Sequence, residues 1–303
     1  MRSASLSWGG LNDFARQLDG MMRLSEQQHR FYESFGFLGF PRLFADEADA
    51  ITESFEKIWA HHGGGHHGQM HDHEQRSAIM PFLDEDEFLC SLIDDPRIEG
   101  PIAALLGEDF NYAGSDGNLY VGETNWHSDG GLKKLYPSIK IAFYLDPVGA
   151  DSGCLRVIPG SHHQDDTYAN LVHEAAPQYF ADNTEAFLGV TGRDIPAFPL
   201  VSEPGDVLLF NHSIKHASYG GGTRRRMFTI NFEHRYAEEH LESLRERISS
   251  NSRFWATRSY GETMIRTAGP NRMRHLEQRL ANDGHLADLT AKAREEMDEP
   301  SRA

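Results

Sequence analysis

The chain has 303 residues, 39% apolar and 25% charged, an ordinary globular composition with length for one large domain or two small ones. Its formal net charge of −17 repels phosphate backbones and anionic lipid surfaces, so neither nucleic acid nor membrane is expected as a partner, although a local basic pocket can still accept a small anion. No apolar run reaches about 18 residues, MRSASLSWGGLND lacks the apolar core of a secretory signal, and two cysteines, Cys90 and Cys154, make no disulfide framework, so a cytoplasmic location is expected.

Residues 1–23 show weak periodicity and read as an N-terminal extension. Ser25 and Gln28 stand at capping-box spacing before an aromatic run and glycines, which predicts a short helix followed by a strand. FADEADAITESFEKIWAHH predicts a second helix, capped by Asp46. Then comes AHHGGGHHGQMHDHEQ, with six histidines between His61 and His73. DEDEFLCSLIDDPRIEGPIAALLG predicts two short helices broken at Pro96 and Pro101.

From about residue 110 the texture changes. Ile139, Ile141, Phe143 and Leu145 stand at period two, a strand signal. Asp151-Ser152-Gly153 and Pro159-Gly160 are turns around the short strand CLRVI, and EPGDVLLFN and RRMFTINFEHR predict two more strands. Short strands between Gly, Pro and Asp turns indicate an all-β barrel or sandwich. Residues 161–200 are polar and read as a long insertion, functional or without fixed structure. Beyond residue 236 the chain is charged and helical, and NRMRHLEQRLANDGHLADLTAKAREEMDE reads as a packing face or a homodimer contact.

The chemistry concentrates in NWHSDGG. On a strand, residues i and i+2 share a face, so His127 and Asp129 converge on one point. A third ligand is available after the strand GDVLLFN, where His212 and His216 both stand. Two histidines and a carboxylate on one face of an octahedron leave three positions open, the arrangement of non-haem Fe(II) sites that activate O2. A lone His-x-Asp is weak evidence, since a core or cap role explains most instances. Order and context add weight here: a strand, a Gly turn, PGSH, PGDVLLF, a histidine, then basic residues leading a strand.

In NWHSDGG, DSGCLRVIPGSHH, EPGDVLLFNHSIKHAS and TRRRMFTINF, and back into LSEQQHRFYESFGFLGF, the chain resembles the phytanoyl-CoA dioxygenase-type Fe(II)/2-oxoglutarate-dependent oxygenases over about residues 24–236. The resemblance implies a mainly β fold with flanking helices, a double-stranded β-helix (jelly roll, cupin-like), with residues 237–303 packed as a helical region on the same domain. It implies Fe(II) held by His127, Asp129 and His216, with 2-oxoglutarate and O2 as cosubstrates. It further implies an arginine for the distal carboxylate of 2-oxoglutarate. Arg224, Arg225 and Arg226 compete; the pattern of RRMFTINF favours Arg225, and strand alternation lets only one of Arg225 and Arg226 point inward. Ser218 resembles the hydroxyl that assists this arginine, and Asn118 a polar residue at the other end of the cosubstrate. Related halogenases replace the carboxylate ligand with a small residue; Asp129 is present, which favours hydroxylation of a small molecule with release of succinate and CO2. The alternatives are a non-catalytic cupin-like metal-binding or sensor protein, and a metal-storage protein built on the histidine loop.

That loop has the wrong physics for a specific metal site, because ordering its glycines costs about 1–2 kcal/mol per residue. It reads as a mobile lid over the barrel mouth, where His71 or His73 could touch substrate. His162 and His163 read as a surface loop, Lys133 and Lys134 as solvated or meeting an anionic substrate, and Cys154 as buried and inert.

Overall fold

Two antiparallel sheets form the centre of the molecule in the computed structural model, which describes residues 17–18, 21–176 and 184–302. The expected extension over residues 1–23 lies mostly outside the described residues. In chain order the strands are β1 (Gln17–Leu18), β2 (Met21–Met22), β3 (Phe37–Phe40), β4 (Ser77–Ile79), β5 (Asn111–Tyr120), β6 (Thr124–His127), β7 (Ser138–Tyr144), β8 (Leu155–Val157), β9 (Phe198–Leu200), β10 (Val207–Asn211), β11 (His216–Ser218) and β12 (Arg225–Glu233). The helices are α1 (Glu26–Phe35), α2 (Ala48–His61), α3 (Glu87–Ser91), α4 (Pro96–Leu106), α5 (Thr167–Ala175), α6 (Thr184–Leu188), α7 (Leu241–Ser249), α8 (Glu262–Thr267), α9 (Pro270–Leu280) and α10 (Leu286–Glu296). The larger sheet has the order β3-β10-β7-β12-β5-β4 and the smaller one β6-β11-β8-β9. The fold is the double-stranded β-helix, mainly β with flanking helices.

Alternation along the strands divides the core in two. On β7, Ile139, Ile141 and Phe143 face the helices and join the main core with Phe228, Ile230 and Phe232 of β12. Ala142 and Tyr144 face the other sheet and pack with Val157, Leu208 and Phe210. Each large apolar side chain so buried contributes roughly 1.5–3 kcal/mol. The period-two pattern therefore marks the outer, helix-covered face of β7; its inner face carries Lys140 as well.

Several local expectations change. Ser25 does form the capping box with Gln28, its hydroxyl accepting from the Gln28 N–H at 3.2 Å while the Gln28 side chain accepts from the Ser25 N–H. Asp46 does not cap α2: Glu47 occupies that position, in helical φ/ψ, without a side-chain hydrogen bond. Pro101 does not break α4, which runs through it from an Asp95 cap with Pro96 in the first turn. Its missing N–H costs one helix bond, and burial of Ile98, Ile102 and Leu106 on this helix outweighs it. Residues 161–200 are not a plain loop: they include α5, α6 and β9, and β9 adds an edge strand to the smaller sheet.

The C-terminal helices pack on the larger sheet. His275 of α9 stacks on Phe110 with ring centroids 3.8 Å apart, and Arg279 pairs with Glu233 at the end of β12. Asp84 is buried here, accepting from the Gly261 N–H at 2.5 Å, and burial pushes its carboxyl up to about 7. A raised folded-state pKa stabilises the fold at low pH, and the contribution fades as pH climbs towards 7. Asp84→Asn does not titrate, so between pH 5 and pH 8 it is expected to gain about 3 kcal/mol relative to the parent, at 1.36 kcal/mol per pKa unit. Urea melts at both pH values measure this; equal differences at both would rule the effect out.

Candidate metal and cosubstrate site

Strand pairing brings the histidines together. His127 ends β6, His216 begins β11, and the two are direct partners in the antiparallel ladder. Their rings lie 4.1 Å apart between centroids. Asp129 sits just past β6, in the turn rather than on the strand, with its N–H donating to the His212 carbonyl at 2.9 Å. Gly130 and Gly131, at φ 139° and 75°, let the chain turn away immediately after it. The Asp129 carboxylate lies 4.0 Å from His127 Nε2 and 3.7 Å from His216 Nε2. Ligand atoms of all three lie within 4.8 Å of one another, the one such group of His, Cys, Asp and Glu among the described residues.

The donor set is in the state a metal requires. His127 Nδ1 faces the Asn125 carbonyl at 2.7 Å and His216 Nδ1 the Ile214 carbonyl at 3.0 Å. A ring nitrogen facing a carbonyl carries the proton, so each Nε2 presents a lone pair to the site. Burial holds both imidazoles below their usual pKa, and His216 lowers His127 further. Burial alone would raise the Asp129 carboxyl, but Lys140, His216 and His212 outweigh it and hold it well below the ordinary range. Neutral imidazoles and an ionised carboxylate are metal ligands without further deprotonation.

The triad opens into a cavity of about 390 Å³. At its closed end, Arg225 points inward from β12 and is 6% exposed. Its guanidinium lies 5.2 Å from the Tyr120 ring centroid, and Nη1 donates to the Gly122 carbonyl at 3.3 Å. Its Nε is buried with no hydrogen-bond partner. Gly153 and Gly221 make the groove in which it lies, since a Cβ on either would stand about 2 Å from Nη1. Arg226 points the other way and pairs with Asp146 and Glu56; Arg224 also pairs with Glu56. Ser218 lines the cavity, its hydroxyl donating to the Gly153 carbonyl at 2.9 Å. Asn118 is fully buried and is not among the lining residues: its amide oxygen accepts from the Arg76 guanidinium at 2.9 Å, and Arg76 lines the cavity in its place.

Lys140 escaped sequence reasoning, although a single charge inside the apolar strand SIKIAFY is its signal. Its side chain is 16% exposed, with Nζ 2.9 Å from Asp129 Oδ2. Lys134 is not solvated: its Nζ bonds the Asp129 carbonyl at 3.3 Å and the Ser138 hydroxyl at 3.0 Å, and burial pulls it down to about 7. His212 lines the cavity beside the triad, buried, with neither ring nitrogen hydrogen-bonded.

The histidine loop is pinned rather than a free lid. His66 is buried between the carbonyls of Ala78 at 3.0 Å and Pro300 at 2.9 Å. His71 bridges the Ser77 hydroxyl and the Thr223 carbonyl, both at 2.8 Å. Neither His71 nor His73 lines the cavity. His162 and His163 bond helix-end carbonyls of Glu33 and Ser34 on the surface. Cys154 is buried, and burial raises its thiol to about 11.

Known proteins share this arrangement of elements. A dioxygenase, lolE1 of Epichloe uncinata, is 31% identical over 131 residues, which cover 39% of this chain and 44% of that protein, so the match spans less than half of either. The solved structure of SnoK, a non-haem α-ketoglutarate-dependent carbocyclase from nogalamycin biosynthesis, superimposes with a TM-score of 0.55 at 21% identity, over 70% of this chain and 84% of that one. HygX from Streptomyces hygroscopicus, solved with nickel and 2-oxoglutarate, superimposes with a TM-score of 0.55 at 16% identity, over 71% and 88%. At such identities the likeness is one of fold. The model of the phytanoyl-CoA dioxygenase (PhyH) family matches residues 32–227, which carry β3 to the first residues of β12 and with them His127, Asp129, His216 and Arg225. With that match across most of the chain, the protein belongs to the phytanoyl-CoA dioxygenase (PhyH) family.

Proposed function

We propose that the protein is a non-haem Fe(II)- and 2-oxoglutarate-dependent dioxygenase that oxidises, by hydroxylation, a small-molecule substrate with release of succinate and CO2. The observation that carries this reading is one cavity holding both a His127–Asp129–His216 cluster and an inward Arg225 with an unpartnered buried Nε. A facial triad leaves room for a chelating cosubstrate, and a guanidinium suits the far carboxylate of a keto diacid by paired hydrogen bonds. HygX, of the same fold, has been solved with nickel and 2-oxoglutarate and, separately, with iron, which supports a metal ion and 2-oxoglutarate as the ligands here.

When bound, ferrous iron and 2-oxoglutarate supply the chemistry that divides O2 between succinate and the substrate. The chain supplies position and polarity. His127 and His216 present neutral Nε2 atoms, fixed by their Nδ1–H bonds to backbone carbonyls. Lys140 keeps Asp129 ionised and fixes the direction of Oδ2. Arg225 would hold the far carboxylate of the cosubstrate, with the Ser218 hydroxyl donating to the Gly153 carbonyl beside it. Tyr144, Leu155, Phe210 and Met227 form apolar walls that exclude water.

Purified protein supplied with Fe(II), ascorbate and O2 is expected to convert 2-oxoglutarate to succinate slowly alone and faster with a substrate from a metabolite library. A cupin-like binding protein would bind the ion and release no succinate under any condition, and that result would sink the reading. No helix of the described residues is long and apolar enough to cross a membrane.

A further inference from the structure

The chain carries 29 Lys and Arg against 46 Asp and Glu, yet its cavity inverts that balance. Six cationic side chains line it, Arg76, Lys140, Arg225, Arg247, Arg253 and Arg279, against two carboxylates, Asp116 and Asp129. Arg253 is exposed and is left out of the balance; Glu233 stands behind Arg247 and Arg279 and pairs with both, so five cations face three carboxylates and the excess is two charges. A divalent ion and dianionic 2-oxoglutarate cancel one another, so under the oxygenase reading the excess persists in the loaded site. Excess charge in a partly enclosed cavity is costly, and a bound anion lowers that cost.

The register of β12 shows where the excess lies. Arg225 stands opposite Tyr120 at the closed end, and Asn231 stands opposite Lys140 at the level of Asp129. The six residue steps from one to the other span about 20 Å. Two positions further, Glu233 takes the Nε of Arg247. Both terminal nitrogens of Arg247 are left without a hydrogen bond among the described residues, and its side chain is 32% exposed at the mouth. One guanidinium thus faces the cavity from each end with the triad between them. Arg247, Arg253 and Arg279 all lie beyond residue 227, where the family match ends, so this cationic mouth belongs to the C-terminal helices that family membership does not specify.

We propose that the substrate is an anion, a small molecule whose carboxylate or phosphate docks on Arg247 at the mouth and so holds its neighbouring carbons over His127, Asp129 and His216. The proposal rests on the oxygenase reading. Arg247 is a specificity residue: its free fork binds the charged group, while Glu233 fixes the guanidinium from behind.

The test uses the full chain with redox-silent Ni(II) and saturating 2-oxoglutarate, so that the cosubstrate site is filled. Calorimetry then compares phenylacetate and phenyl phosphate with neutral phenylacetamide. At least one anion is expected to bind about tenfold or more tighter than the amide, and the tighter of the two identifies the charged group. Arg247→Gln is expected to bring the anions to the level of the amide, and Arg247→Lys to retain part of the preference. A separate titration of each Ni(II)-loaded variant with 2-oxoglutarate reports whether it is folded. Equal or absent binding of all three probes by the parent, or a preference that survives Arg247→Gln, overturns the proposal. Failure of the parent to bind Ni(II) and 2-oxoglutarate overturns the oxygenase reading instead.

Discussion

Anaerobic titration with Fe(II) is expected to show one ion per chain, and Asp129→Ala to weaken that binding by at least about a hundredfold. Loss of a group that merely orients a metal ligand already costs 10–100-fold, and Asp129 is the sole carboxylate of the cluster. Its removal would also leave the largely enclosed Lys140 without the carboxylate 2.9 Å from its Nζ, so the variant should lose stability as well as metal. His127→Ala should weaken binding similarly while leaving Lys140 paired. The contrast is the double variant His66→Ala, His71→Ala. Each ring bridges two groups across the loop, so losing both should cost roughly 1–3 kcal/mol apiece. The melting temperature should fall by several degrees while one ion still binds with near-parent affinity. A double variant that loses the ion, beside an Asp129→Ala protein that keeps it, would move the metal site to the histidine loop.

Arg225→Leu should raise the Kd for 2-oxoglutarate roughly 30-fold to more than a thousandfold. The estimate follows from the 2–5 kcal/mol lost when one partner of an enclosed, hydrogen-bonded charge pair is truncated, at 1.4 kcal/mol per tenfold. Arg226→Leu, one residue along, should leave that Kd within about threefold. Its guanidinium faces outward onto Asp146 and Glu56 at a part-exposed site, so removing it should cost about 1 kcal/mol of stability. Binding of 2-oxoglutarate in the presence of Ni(II), followed by calorimetry, separates the two. Equal losses in both variants would mean that the orientation of β12 does not decide which arginine meets the cosubstrate.

Strand alternation and motif order made much of this legible before any coordinates. His127, Asp129, His216 and the inward Arg225 all lie in short segments whose geometry is local: a turn after a strand, or every second residue along one. What escaped depends on partners far away in the chain. Lys140 faces Asp129 only because β7 is covered on both faces, with Lys140 its one part-exposed residue, and a period-two reading records the apolar face alone. Glycines and histidines between residues 61 and 73 suggest a free loop, but carbonyls at Ala78, Thr223 and Pro300 hold it. Asn118 stands on β5 beside the cavity, yet Arg76, 42 residues earlier, binds its amide oxygen and lines the cavity instead. Arg247 lies in the charged helical stretch beyond residue 236 and Arg279 in the part of it that reads as a packing face or a homodimer contact; neither points to the cavity until Glu233 is placed beneath them.

The contact between His66 and Pro300 belongs to a larger fastening. Arg302 donates to the Arg76 carbonyl at 2.9 Å, and the Ser301 N–H to the Arg253 carbonyl at 2.8 Å. Three consecutive residues therefore brace the backbone of two residues of the cavity wall, Arg76 and Arg253, and the loop beside them. Proteolytic trimming at residue 299, or a bulky fusion joined directly after residue 302, would act on the reaction chamber itself, so immobilisation and labelling schemes should leave this stretch untouched.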